Sequence, residues 1–268
     1  MTGTVSELSI GGRALRYVSA GHGDEIAVLL QGWHTQSELY EDIVNTLAQR
    51  YTVLFPLLPG FGETPEPDEP MCVADYAALV IDFLSALHVT KAVFFCHSFG
   101  GRVFFHLLSS PGSPIQAEKV ILCDVAGVMR RKSLFQRWKL RLYKWGYRIL
   151  ESRPLRRFFH EKAERFRERH ASEDYRNASP VMRQTLVLAV NEDLCERFPL
   201  LTMPTLILWG RNDTAVPLSD AYRIESDAKD AAVVVFENSG HFPFLTEKPR
   251  FLAVVRSFFQ IESPEAHS

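Results

Sequence analysis

The sequence predicts an α/β fold: a mostly parallel central sheet of about eight strands, flanked by helices and carrying a helical cap as an insertion. Three observations predict it. Short β-branched and aromatic runs alternate with longer helical patterns, which is the rhythm of repeated strand–helix–strand units. Several of these runs are apolar throughout, as strands buried on both faces must be. Finally, about 80 residues of purely helical character separate two late strands, too many for one crossover.

Arg13–Ser19 alternates polar and apolar residues and reads as an early strand after a Gly11-Gly12 turn. Ile26–Gln31 is the first continuous apolar strand. Ser37–Arg50 has helical spacing of Leu39, Tyr40, Ile43 and Leu47, with Ser37 as the expected N-cap. Thr52–Leu57 is the next strand and ends in the turn-rich Pro59-Gly60-Phe61-Gly62. A helix over Val73–Leu87 leads to strand Ala92–Cys96 and a helix beginning near Ser98. Lys119–Asp124, Thr205–Trp209 and Ala232–Phe236 are the remaining strands, and Arg250–Gln260 closes the chain as a helix. Residues 1–127 and 199–268 are therefore expected to form the core, and residues 128–198 the cap.

Composition narrows the function classes. A 46% hydrophobic share fills a sizeable core, and a formal charge of −2 from 30 basic and 32 acidic residues gives no lean toward nucleic acid. No apolar stretch is long enough to span a bilayer, and the N-terminus lacks the basic start and apolar run of a secretory signal, so a cytoplasmic protein is expected. The four cysteines show neither CxxC nor metal-ligand spacing; Cys96 and Cys123 fall in strand-like runs and are expected to be buried thiols. No metal or organic cofactor is implied.

The most informative stretch is Val93-Phe94-Phe95-Cys96-His97-Ser98-Phe99-Gly100-Gly101. An apolar strand runs straight into a serine, with small residues two before and two after, and then into a helix. Such a turn strains the serine backbone and lifts its hydroxyl above the sheet, and the helix N-terminus favours negative charge there. The bland alternative is an ordinary strand-to-helix turn with Ser98 as an N-cap.

From about Arg13 to Phe259 the chain resembles the α/β-hydrolase fold family. Cys96-His97-Ser98-Phe99-Gly100 is similar to its G-x-S-x-G nucleophile motif, with cysteine in place of the first glycine. Nine histidines compete for the general base; His241, in Asn238-Ser239-Gly240-His241-Phe242 between the last strand and last helix, resembles the family's catalytic-histidine loop. Trp209-Gly210-Arg211-Asn212-Asp213 resembles its W-G-x-x-D acid loop, with Asp124 as the rival acid at the end of an earlier strand. The order Ser98, Asp213, His241 is that of the family.

The resemblance further implies an oxyanion hole from the N–H groups of Phe99 and of Trp33, in Gln31-Gly32-Trp33-His34, where Gln31 replaces the usual histidine. Gln31, His34, His97 and Trp138 are the candidate substrate-binding residues, with Gln31 expected mainly to brace its loop and His97 to pack. Pro59-Gly60-Phe61-Gly62-Glu63-Thr64 resembles the family's P-G-x-G-x-S turn. A serine rather than a carboxylate nucleophile disfavours epoxide and halide chemistry and implies acyl transfer.

From Arg130 to Arg176 there are 16 Lys or Arg against 6 Asp or Glu, and Phe135, Trp138, Leu142, Trp145 and Ile149 recur at helical spacing among them. An amphipathic cap with a solvated basic face is the leading reading, with attraction of an anionic partner or a lipid surface as the sharper one. The expected function is serine-dependent hydrolysis of a small carboxylic ester with an apolar part. Thioester, amide or C–C bond hydrolysis on the same residues, and ligand binding without turnover, are the alternatives.

Overall fold

The computed structural model describes residues 3–62, 64–129 and 173–262. Residues 130–172, which hold nearly all of the basic stretch and Trp138 within it, lie outside the described residues. Eight strands form one sheet: β1 (Thr4–Ile10), β2 (Arg13–Ala20), β3 (Ile26–Leu30), β4 (Thr52–Leu57), β5 (Lys91–His97), β6 (Gln116–Cys123), β7 (Thr205–Gly210) and β8 (Ala231–Phe236). Their order is β1-β2-β4-β3-β5-β6-β7-β8. β1 and β2 run antiparallel to each other and β2 antiparallel to β4, while every pairing from β4 to β8 is parallel.

The first strand, Thr4–Ile10, is the strand that the sequence pattern does not announce. TVSELSI is polar, lies at the sheet edge and buries only Ile10 fully, so it lacks the apolar signature of an interior strand. What forms it is the hairpin: Gly11 and Gly12 both take positive φ, 57° and 81°, and bring Ile10 opposite Arg13. The helix expected from Ser37 is also different. Ser37–Tyr40 is a 3₁₀ turn, α1 spans Glu41–Leu47, and Gln36 rather than Ser37 precedes the turn, with no side-chain cap.

Helices cover both faces, as buried parallel strands require. α2 (Val73–Ala86) and α3 (Phe99–Ser109) pack on one face around Phe83, Phe94 and Phe104. α1 and the C-terminal helix pack on the other around Tyr40, Phe95 and Phe251. Between β6 and β7, where the insertion falls, the described residues form α4 (Glu173–Asn177) and α5 (Pro180–Val190). α5 starts at Ser179, whose hydroxyl accepts from the Met182 N–H at 3.2 Å, and it turns Met182, Thr185 and Ala189 inward. α6 (Leu218–Asp227), α7 (Pro243–Thr246) and α8 (Lys248–Phe259) complete the chain. The four cysteines are free, with Cys96 and Cys123 buried. No helix among the described residues is long and apolar enough to cross a membrane.

Candidate active site

Ser98, Asp213 and His241 each follow the C-terminal end of a parallel strand: β5, β7 and β8 respectively. Loops at that edge of an open parallel sheet converge, and three distant residues meet there. The Ser98 Oγ stands 2.9 Å from His241 Nε2, and His241 Nδ1 stands 2.7 Å from Asp213 Oδ2. An ionised carboxylate only accepts, so Nδ1 carries the proton and donates it to Asp213, leaving Nε2 to accept from the serine hydroxyl.

The local sequence explains how each is held. Ser98 adopts φ 49° and ψ −109° between β5 and α3, a region that non-glycine residues rarely occupy, and makes no cap hydrogen bond with its side chain. Gly100 is required because a Cβ there would come within 2.1 Å of the Leu30 carbonyl oxygen. Cys96 fits two residues before the serine, fully buried in β5. On the acid loop, the buried Trp209 donates its indole N–H to the Val216 carbonyl at 3.0 Å, which folds residues 210–216 back on themselves. A Cβ on Gly210 would fall 2.0 Å from the Gly240 carbonyl, so the acid and histidine loops touch only because position 210 has no side chain. The Asn212 N–H donates to Ser239 O at 2.9 Å and binds them together.

Asp213 is the ionised partner. Burial opposes its charge, but hydrogen bonds from His241 and from the Ala215 and Val216 N–H groups, at 2.7 and 3.0 Å, outweigh that and hold its carboxyl below the usual range. Asp124, the rival acid, has the opposite character: burial, reinforced by the charge of Asp213, pushes it up to about 8. It accepts from the Gly210 N–H at 3.0 Å and lies at the end of β6, with φ 44°. Asp124, Asp213 and His241 are also the one His/carboxylate group among the described residues close enough to suggest a metal site, with ligand atoms within 4.8 Å. Their oxygens are already engaged by the Gly210, Ala215 and Val216 N–H groups, the Cys123 thiol and His241, so the donor set fits a hydrogen-bonded carboxyl pair better than a cation.

His97 supports the site from behind. Its Nε2 lies 2.9 Å from the His241 carbonyl oxygen and its Nδ1 lies 2.8 Å from the Tyr40 hydroxyl. A carbonyl can only accept, so Nε2 carries the proton, Nδ1 accepts, and Tyr40 donates. Burial, then the neighbouring His241, pushes His97 down to about 3 and keeps the ring neutral. The Tyr40 oxygen in turn accepts from the Gly32 N–H at 2.8 Å. Thr35 Oγ1 donates to Gly32 O at 3.0 Å. One chain of hydrogen bonds thus joins the Gly32–Trp33 loop to the backbone of His241.

A cavity of about 360 Å³ opens over Ser98 and His241. Trp33 and Phe99 both line it, with ring centroids 5.4 Å apart, and Phe99 is the first residue of α3, where main-chain N–H groups have no helical partner. Gln31 is buried and donates to Thr35 O at 3.2 Å, the bracing role expected of it, while its Oε1 and the Trp33 indole nitrogen are buried without a hydrogen-bond partner. His97 reaches the cavity wall, but both ring nitrogens are committed elsewhere. His34 does not reach it: it is exposed, and the chain passes through it in a left-handed turn (φ 53°) that leaves Trp33 and Thr35 on the wall instead.

Sequence reasoning missed Leu186 and Val190 of α5, Val216, Phe242 and Arg102, which also line the cavity. Thr64 lies where the turn motif puts it and closes the turn by donating to Leu57 O at 2.6 Å, but the same turn also supplies Phe61, which stacks on Phe99 at 5.3 Å beneath the site. Of these, only Arg102 carried a signal, as the single charge in the apolar run Phe99–Leu108.

A family model described as alpha/beta hydrolase fold matches residues 28–248. An uncharacterized protein of Mycobacterium tuberculosis is 26% identical over 91% of this chain and 78% of its own length. A pimeloyl-[acyl-carrier protein] methyl ester esterase of Vibrio parahaemolyticus is 27% identical over 92% of this chain and 98% of its own. Among solved structures, an esterase from Exiguobacterium antarcticum superposes with a TM-score of 0.71 at 22% identity, covering 96% of this chain and 100% of its own, a likeness of fold.

Proposed function

The chain belongs to the α/β-hydrolase fold family, and from that premise we propose that it is a serine hydrolase acting on a small carboxylic ester with an apolar acyl or alcohol part. The observation that carries this reading is the continuous hydrogen-bonded line from Ser98 through His241 to Asp213, at 2.9 and 2.7 Å, on the floor of a largely apolar cavity. The methyl ester esterase among the relatives supports the reaction class.

In the proposed reaction Ser98 Oγ attacks the ester carbonyl while His241 Nε2 takes its proton. Negative charge then develops on the carbonyl oxygen and is held by the N–H groups of Phe99 and Trp33. Asp213 stays ionised, keeps the His241 proton on Nδ1 and stabilises the imidazolium. His241 next gives its proton to the leaving alcohol, and an acyl-Ser98 ester remains. Water, deprotonated by His241, attacks that ester, and the acid leaves as Ser98 recovers its proton. Among the described residues between β6 and β7, Leu186, Ala189 and Val190 of α5 line the cavity and would contact the apolar part of the substrate.

Hydrolysis of 4-nitrophenyl esters of graded acyl length, by the wild type and by Ser98→Ala, tests the reading. Turnover that collapses at least ~10³-fold in the variant supports Ser98 as the nucleophile, and the preferred acyl length sizes the cavity. Full activity in the variant would sink it.

A further inference from the structure

Arg102 is a buried cation that the reaction above leaves unused. It lies one helical turn beyond Ser98 on α3, and both residues line the same cavity. Only 6% of its surface is exposed, yet among the described residues its guanidinium makes one hydrogen bond, from NH1 to the main-chain carbonyl of Glu192 at 3.1 Å. A guanidinium has five N–H donors in a fixed fork, and a charge removed from water normally finds an anion or a full set of acceptors.

The acidic groups nearby are already engaged. The Glu192 carboxylate is held by His106 at 2.7 Å and Arg197 at 3.2 Å. Asp193 Oδ1 accepts from the Met129 and Cys195 N–H groups, both at 3.3 Å. Asp174 reaches the cavity but is exposed at its edge. Among the described residues none of these carboxylates lies within ion-pair distance of Arg102; Glu192 and Asp193 act on it only from further away. Much of the remaining wall is apolar, with Trp33, Phe99, Leu186, Val190 and Val216, and its polar members His97 and His241 have their ring nitrogens engaged elsewhere.

We propose that Arg102 is the anion-recognition residue of this site, so that the favoured substrate is an ester of a short acid that carries a second, free carboxylate. The inference rests on the ester-hydrolase reading for the reaction but not for the binding. The carboxylate takes the free edge of the guanidinium, and the ester carbonyl then lies over Ser98, one helical turn back. In a mostly apolar pocket such a charge-assisted pair discriminates strongly, because the neutral analogue leaves the cation without a counter-charge.

The test compares 4-nitrophenyl hydrogen glutarate with 4-nitrophenyl pentanoate, matched in chain length and differing in the terminal carboxylate. The wild type is expected to favour the glutarate by about 10- to 100-fold in kcat/KM. Arg102→Gln should erase that ratio, and Arg102→Lys should restore part of it. A wild-type ratio at or below one overturns the proposal without any variant, as does a ratio that Arg102→Gln leaves unchanged. A second arm needs no turnover: calorimetric titration of monomethyl glutarate into Ser98→Ala and into Ser98→Ala/Arg102→Gln. Binding at least tenfold weaker in the double variant supports Arg102 even if neither ester is hydrolysed, an outcome that would fail the ester-hydrolase reading alone. Equal affinity in the two proteins, or no binding to either, overturns the proposal.

Discussion

Replacing Tyr40 by phenylalanine removes one oxygen and leaves the ring in its place against Phe55 and Phe244, with centroids 5.6 and 5.5 Å away. No cavity of note forms, so the cost is that of the hydrogen bonds. Two fully buried groups lose their partner: the Gly32 N–H and His97 Nδ1, each 2.8 Å from the missing oxygen. A buried polar group left unsatisfied costs about 1–3 kcal/mol, and the phenylalanine recovers part of this because no hydroxyl has to be desolvated. A net loss of roughly 2–4 kcal/mol follows, or on the order of 10 °C in the unfolding midpoint for a domain of this size. His97 would no longer be held from the Nδ1 side, so its ring and the His241 carbonyl it holds would both loosen, along with Gly32 next to Trp33. The expected kinetic signature is a kcat at least ~10-fold lower, with KM changed much less, because the loss falls on the placement of the base and of a proposed oxyanion donor. Thermal unfolding and ester hydrolysis measured on the same preparations decide it. A variant as stable and as fast as the wild type would refute the reasoning about this chain of hydrogen bonds.

Other perturbations have equally direct readouts. Asp213→Asn should lower kcat about 10³- to 10⁴-fold with little change in fold, since the amide stabilises neither the imidazolium nor the required tautomer; circular dichroism and ester turnover check both halves. Gly100→Ala places a methyl 2.1 Å from the Leu30 carbonyl, and a stability loss of ~3 kcal/mol or more is expected in urea unfolding. Asp124 has a folded-state pKa of about 8 against 3.8 for the free group, so the native chain holds a proton that the unfolded chain releases between those values. Its contribution therefore falls as pH rises through that window, and Asp124→Asn should gain stability relative to the wild type by up to about 1.4 kcal/mol per pH unit. Parallel unfolding midpoints for the two proteins from pH 4 to 8 would exclude the protonated Asp124.

Much of this arrangement is legible in the sequence because the constraints on it are local. The parallel strands announce themselves as apolar runs, and Gly100, Gly210 and Trp209 each answer to a contact that the fold makes unavoidable. The illegible parts are those where the deciding contact is remote. Thr4–Ile10 is polar along most of its length and becomes a strand because a glycine hairpin sets it beside Arg13–Ala20. Tyr40 looks like one more apolar residue of a helix face, and only the fold sets its hydroxyl against His97, 57 positions later. His34 is next to Trp33 in sequence but not on the cavity wall, because a single left-handed residue turns the chain there. Arg102 is visible as a charge in an apolar helix one turn beyond Ser98, but only the fold shows it buried against the Glu192 carbonyl that follows α5.

The carboxyl pair behind His241 has a consequence for how this site could change over time. Two acids from two different strands lie close to the same histidine, with ligand atoms within 4.8 Å, and burial together with the charge of Asp213 keeps one of them protonated. Loss of Asp213 removes one of the causes that hold the proton on Asp124, while burial remains, so damage at the first position leaves a neighbouring carboxyl that ionises more readily than before. In the proposed reaction that second carboxyl is a starting point from which selection could rebuild the acid on a different strand once its burial is relieved.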